Sequence, residues 1–326
     1  MKPTVRLLIT VDTESDAWSP SRAPARCDNL RQLPRFDAFL ESLGLRATYL
    51  LTWRAANDPW GSDFLADLSR TGRAALGSHL HPWSCPPYDE PFLLGNTMCS
   101  NLPEDLQFRK LQTLTDRLTE LRGTPPVSFR AGRWGFGPTT ATALVRAGYR
   151  VDSSVTPWIS WAEFHGPSFI GAPNGLYRIR AGADVLTPDP GGELLEVPVT
   201  VGYTRRPFAP LNVMRQAMTD SPLRSLRLAG IAWKLGLIRR VTLTPEENDH
   251  RDLIAVSRHM LDLGLDHLNV ALHSQSLSPG LVPAVHGERE VDRLYDRLAR
   301  YVEGISAYAT LRAATLDDML DAPNGQ

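Results

Sequence analysis

The hydrophobic positions of this chain alternate between two patterns. Arg6-Leu7-Leu8-Ile9-Thr10-Val11 is a short β-branched run, read as a strand covered on both faces, and it ends abruptly in the polar cluster from Asp12 to Asp16. Leu33, Phe36, Phe39, Leu40 and Leu43 then recur at helical spacing, with Gly44 as a stop. Residues 46–53 predict a second strand, 63–70 a helix and 74–81 a third strand. The stretch 82–102 carries Pro82, Pro86, Pro87 and Pro91 and reads as a long loop of the kind that often serves a site. A helix over 103–121 opens on a proline and closes before Gly123. Strand, helix and strand follow at 127–130, 138–147 and 149–152. Residues 153–210 are irregular, with a strand at 194–201, and two helices fill 211–240. Thr244-Pro245-Glu246-Glu247 has the form of a capping box opening a helix that lasts to Leu263. A strand at 268–273, a strongly amphipathic helix at 288–305 and a last strand and helix within 309–320 complete the chain.

Strands that alternate with helices predict a parallel sheet or barrel with helices outside. No repeat, low-complexity tract or clear linker interrupts the 326 residues, so the expectation is one domain over 1–326 with an elaborated insertion at about 155–245. Composition agrees: 42% hydrophobic and 22% charged residues suit a globular core. The net charge of -1 removes the global field that would gather nucleic acid. The apolar run after Met1 is too short for a signal peptide, and no run of about 18 apolar residues exists to span a membrane. Cys27, Cys85 and Cys99 are odd in number and widely spaced, which fits unpaired thiols in a reducing cytoplasm.

Asp12, His79, Arg130, Asp152 and His273 each fall at the C-terminal end of a predicted strand. That rim is where loops converge and chemistry gathers in parallel α/β folds. Asp12 and Glu14 are two apart, as are His79 and His81, so each pair shares one side of an extended segment. Two imidazoles and one carboxylate leave an open position on a divalent ion such as Zn²⁺, and a second carboxylate can serve as general base toward a metal-activated water. His-Leu-His-Pro is equally readable as a loop turn with hydrogen-bonded imidazoles, and Asp12 alone as a turn residue. His273 fits a general acid, and Arg130 fits a partner that keeps Asp12 ionised.

These segments, in this order, resemble the NodB-type polysaccharide deacetylases, carbohydrate esterase family 4. Thr10-Val11-Asp12-Thr13-Glu14 resembles the family's first motif and Gly77-Ser78-His79-Leu80-His81 the second, which holds the metal-binding histidines. Phe129-Arg130-Ala131-Gly132-Arg133-Trp134-Gly135 resembles the third, an arginine-led groove wall. Asp152-Ser153-Ser154 through Trp158 resembles the fourth, and Leu272-His273-Ser274 the fifth. The resemblance implies a distorted (β/α) barrel of about seven strands and metal-dependent removal of an acetyl group from an N-acetylated sugar. Thr13 stands where the family usually has a metal-binding Asp, and Trp83 where its second histidine would fall. The ligand set implied is therefore Glu14, His79 and His81, with Asp12 as base, Arg130 orienting it and His273 as acid. Arg133, Trp134, Asp152, Trp158 and Trp83 are the expected substrate-binding residues, and a backbone N–H near Arg133 or Trp134 the expected oxyanion donor.

Two other readings stay open: a metal amidohydrolase acting on a non-sugar amide or a formyl group, and a catalytically inactive carbohydrate-binding relative. Between Arg205 and Arg240 there are eight basic residues against one acidic, Asp220. Arg224, Arg227 and Lys234 cluster on a helical wheel, so 222–240 reads either as a basic helix lying on an anionic membrane, which would suit a lipid-linked saccharide, or as a helix packed on the barrel.

Overall fold

A computed structural model describes residues 2–220 and 228–321 of the chain. Its strands are β1 (Thr4–Thr13), β2 (Ala47–Leu51), β3 (Ala74–Leu80), β4 (Ser128–Ala131), β5 (Val151–Asp152), β6 (Tyr177–Ile179), β7 (Leu194–Glu196), β8 (Val201–Tyr203), β9 (Arg240–Thr242), β10 (His267–His273) and β11 (Thr310–Ala314). The helices are α1 (Leu33–Ser42), α2 (Trp53–Ala56), α3 (Pro59–Arg70), α4 (Glu104–Arg122), α5 (Pro138–Arg146), α6 (Phe208–Asp220), α7 (Leu228–Lys234), α8 (His250–Asp262) and α9 (Glu288–Ser306). Arg224 and Arg227, two of the three residues behind the membrane expectation, lie outside the described residues. No helix among the described residues is long and apolar enough to cross a membrane.

The main sheet has nine strands. Seven of them, in the order β10-β1-β2-β3-β4-β5-β7, pair in parallel. β6 adds antiparallel to β7 at the edge, and β11 pairs with the first half of β1. The gap between β7 and β10 is bridged by irregular backbone: Thr200 N–H donates to the Asn269 carbonyl and Ala271 N–H to the Leu243 carbonyl. The sheet therefore curls into the expected distorted (β/α) barrel. β8 and β9 form a separate antiparallel pair beside this bridge. Cys27, Cys85 and Cys99 are buried free thiols.

Strand periodicity sorts the core. In β1, Leu7, Ile9 and Val11 pack into the layer under the helices. Leu8 faces the other way, into a small apolar cluster with Leu50, Val151, Leu195 and Met319 that plugs the barrel floor. Thr10 and Asp12 continue the Leu8 face, so the interior changes from apolar at the floor to polar at the C-terminal rim.

One boundary differs from expectation for a reason that matters to the site. The helix expected from Thr244 begins at His250, with Asp249 as its N-cap accepting from Arg251 N–H at 3.0 Å. Thr244 and Glu246 do bond each other, as in a short turn, but the Glu246 carboxylate is committed to β10 rather than to a helix start.

Candidate functional site

Register places the first pair of groups. Asp12 and His273 are direct partners on β1 and β10, and His79 and Arg130 on β3 and β4, all at the C-terminal rim. Arg130 is fully buried inside the barrel. Its guanidinium donates to Asp12 Oδ1 at 2.7 Å, to Thr10 Oγ1 at 2.8 Å and to the Ser153 carbonyl at 2.8 Å, so every direction of the fork is fixed. Burial opposes charge on Asp12, but Arg130, then His79 and His273, outweigh it and hold the carboxyl below its usual range.

Beyond the strand end, Glu14 turns toward β3. Its Oε1 lies 3.1 Å from His79 Nε2 and 3.4 Å from His81 Nε2. Leu80, between the histidines, points into the helix-side core, which is why both imidazoles share the interior face. His79 Nδ1 lies 3.0 Å from the Arg130 carbonyl. That contact makes Nδ1 a donor and leaves Nε2 as the ring nitrogen facing Glu14. Burial pushes the His81 imidazole down to about 3, against the opposing pull of Glu14, so it is neutral near neutrality. Burial also works against Glu14 ionisation, yet His81 and His79 hold that carboxyl at about 2. One carboxylate and two imidazoles, with donor atoms within 4.8 Å of one another, fit a divalent cation. Asp12, Glu14 and His273 form a second such group that shares Glu14.

Glu246 is the residue that sequence reasoning missed. It accepts His273 N–H at 2.7 Å and lies 3.2 Å from His273 Nδ1, and Ser276 Oγ donates to the same oxygen at 2.5 Å. Burial disfavours a cationic His273, but Glu246, then Asp12 and Glu14, outweigh it and raise the imidazole to about 10. Its only sequence signal was a carboxylate in a local Thr-Pro-Glu-Glu pattern, which reads the same whether it caps a helix or reaches a strand.

Two cavities of about 440 Å³ and 990 Å³ meet over this centre and share Asp12, Trp134, Trp161, Phe164, Glu247 and His273. The smaller contains Glu14, His79, His81 and Arg133, and Trp18, also unforeseen, closes its edge with its ring 5.1 Å from that of His273. Arg133 and Trp134 both have left-handed backbones, with φ of 55° and 62°, so the wall expected to offer a backbone donor is held in an uncommon conformation. Trp158 lines the larger cavity, with Nε1 donating to Asn174 at 3.0 Å. Trp83 is buried and stacks against His81 at 4.2 Å between ring centroids, so its broad face supports a candidate ligand.

Asp152, expected on the substrate wall, faces away from it. Val151 points to the barrel floor, and strand alternation sends Asp152 to the opposite face, where it is fully buried. There it meets Glu196, its direct partner on β7, and accepts from Ser154 Oγ at 2.7 Å. Burial raises both carboxyls, Glu196 well above the usual range with further help from the Asp152 charge.

No protein-family model and no curated protein matches the chain. Solved structures do. A provisionally assigned polysaccharide deacetylase from Mycobacterium smegmatis is 19% identical with a TM-score of 0.54, covering 98% of this chain and 90% of its own. A provisionally assigned glycoside hydrolase/deacetylase from Parabacteroides distasonis is 12% identical with a TM-score of 0.63, covering 98% and 70%. The allantoinase PuuE is 11% identical with a TM-score of 0.51, covering 99% and 92%. The chain thus shares the deacetylase-type distorted (β/α) barrel that its motifs resemble.

Proposed function

We propose that the protein is a metal-dependent hydrolase that removes the N-acetyl group of a sugar or sugar-polymer precursor. One observation carries this reading. Asp12 Oδ2 lies 4.0 Å from His79 Nε2 and 4.0 Å from His273 Nε2, between a ligand set and a paired histidine. Glu14, His79 and His81 would hold the ion, with Zn²⁺ the first candidate for an N₂O donor set. When bound, such an ion supplies Lewis acidity toward a water and an acyl oxygen.

The chain's own groups divide the remaining work. Asp12, kept ionised and oriented by Arg130, takes the proton of the attacking water as the water oxygen bonds to the acyl carbon. A backbone N–H at Arg133 or Trp134 faces the charge that develops on the acyl oxygen. His273, held protonated by Glu246, gives its proton to the nitrogen as the C–N bond breaks. The products are acetate and an amino sugar. Trp134 and Trp158 offer faces on which sugar rings can stack.

The test is acetate release from N-acetylated sugars by the metal-loaded protein. Asp12→Asn is expected to lower kcat by at least about 10²-fold, with Zn²⁺ content unchanged. Full activity in that variant rejects the base assignment. Absence of stoichiometric metal after reconstitution rejects the metal-dependent reading and favours an inactive carbohydrate-binding relative. A second reading, a non-sugar amide or a formyl group as substrate, draws support from the fold shared with an allantoinase. Release of formate, or of acetate from small amides only, selects it.

A further inference from the structure

The larger cavity continues past the candidate centre to a second set of charges. Its far wall is built by α6 and β9, which place Arg215 and Gln216 from the one and Arg240 and Thr242 from the other along the same lobe. Among the described residues neither arginine has an ion-pair partner: the neighbouring Arg206 and Arg239 are bonded to Asp262 and Asp252, while Arg240 donates only to the Trp158 carbonyl, at 2.7 Å. The other charged groups of the lobe are engaged or lie toward the centre. Asp12 is bonded to Arg130 and Glu246 to His273, and Glu163 has an interaction of its own. Glu247 also borders the smaller cavity. Burial, then the charge of Arg215, press the Arg240 guanidinium down to about 10, and no carboxylate among the described residues pairs with either cation. At neutral pH Arg240 remains charged.

Two like charges kept in a concave lobe, each with donors to spare, are arranged for an oxyanion. We infer that the Arg215–Arg240 end of the cavity is a binding subsite for a phosphoryl group carried by the substrate. A phosphate monoester or diphosphate brings about two negative charges and several acceptor oxygens near neutrality, which matches two guanidiniums; a carboxylate brings one charge and two oxygens. Gln216 and Thr242 add neutral donors on the same wall. Trp158 links the parts: its carbonyl anchors Arg240, and it lines the same cavity as His273. The substrate would then be a phosphorylated or diphosphate-linked sugar with its acyl amide at Asp12 and its phosphate at the arginines. This identification rests on the deacetylase reading, whereas the anion subsite does not.

Calorimetric titration of the full metal-loaded chain with inorganic phosphate, glucose 1-phosphate, glucuronate and methyl N-acetylglucosaminide separates the two. Glucose 1-phosphate is expected to bind at least tenfold more tightly than glucuronate. Arg215→Gln and Arg240→Gln should each cut the preference for glucose 1-phosphate over the neutral glycoside about tenfold, with Arg240→Lys retaining part of it. Arg215 stands on a partly exposed helix face, so its variant keeps the test valid if loss of the Trp158 contact unfolds the Arg240 variant. Glucuronate binding as tightly as glucose 1-phosphate overturns the inference. So does phosphate binding that neither variant weakens, since the phosphate then sits elsewhere. Phosphate binding at the arginines without acetate release defeats the deacetylase reading alone; acetate release without phosphate binding defeats this inference alone.

Discussion

At the scale of single residues, the candidate centre depends on what is missing as much as on what is present. Gly132 follows β4 directly beneath His81. A Cβ built there would stand 2.1 Å from His81 Cδ2 and 2.7 Å from the Leu80 carbonyl oxygen. The carbonyl belongs to a fixed strand, so the imidazole must move. Gly132→Ala is therefore expected to weaken Zn²⁺ binding by roughly 10- to 100-fold, measured by competition with a chromogenic chelator. Unchanged affinity would remove His81 from the ligand set. The carboxylates and histidines at the strand ends were legible in the sequence because spacing of two on an extended segment fixes a shared face. Asp152 obeyed the same rule and was misread. A strand of two residues gives no alternation from which to tell inside from outside, and only the pairing of Val151 with Leu195 decides it. Glu246 was illegible for another reason: its partner His273 is 27 residues away, and nothing local distinguishes it from a helix cap.

Among the elements, the loop after β3 shows how the site is braced from outside. Residues 82–102 were foreseen as a proline-rich loop, but not what holds them. The brace is Lys110 on α4, a helix whose Gly123 end, at φ 80°, was visible in the sequence. The Lys110 ammonium is fully buried and donates to the carbonyls of Pro82, Cys85 and Pro87 at 2.9, 2.8 and 2.5 Å, and to Glu90 at 3.2 Å. Three carbonyls from one loop, each without a strand or helix partner, converge on a single cation. Trp83 rides on this loop and stacks on His81, so the brace reaches the candidate ligand through one aromatic contact. Lys110→Met keeps the stem and removes the charge, leaving those acceptors and Glu90 uncompensated. The expected loss is about 3 kcal/mol of unfolding free energy, read from denaturant titration, with new protease cleavage between 86 and 94. A variant as stable as the parent would mean that the prolines alone hold the loop.

For the molecule as a whole, the barrel interior and its outer face carry opposite electrostatic solutions. Inside, Arg130 ties Asp12, Thr10 and Ser153 together, and Asn269 of β10 extends the network by donating to Ser153 Oγ at 2.9 Å. Strands far apart in sequence are thereby locked at the rim. Outside, β5 and β7 bring Asp152 and Glu196 face to face with no cation bonded to either among the described residues, and Glu196 Oε2 is buried without a donor. A proton on that oxygen, shared with Asp152, satisfies both groups, and it is what burial and the Asp152 charge favour. Stability inherits a pH dependence from it. Above the ordinary Glu value of 4.5 the unfolded chain has released this proton while the folded chain keeps it. The unfolded state then binds fewer protons, so stability falls as pH rises, up to the raised folded value. Glu196→Gln replaces the acid with a group that donates to Asp152 at every pH and can still accept from Val155 N–H, as Oε1 does at 3.1 Å. Thermal unfolding followed from pH 5 to pH 8 should therefore decline less steeply in the variant, by up to about 1.4 kcal/mol per pH unit, with the variant gaining most at the alkaline end. Parallel curves for the two proteins would mean that Glu196 is ionised in the folded chain, and the pairing of β5 with β7 would then need another source of compensation.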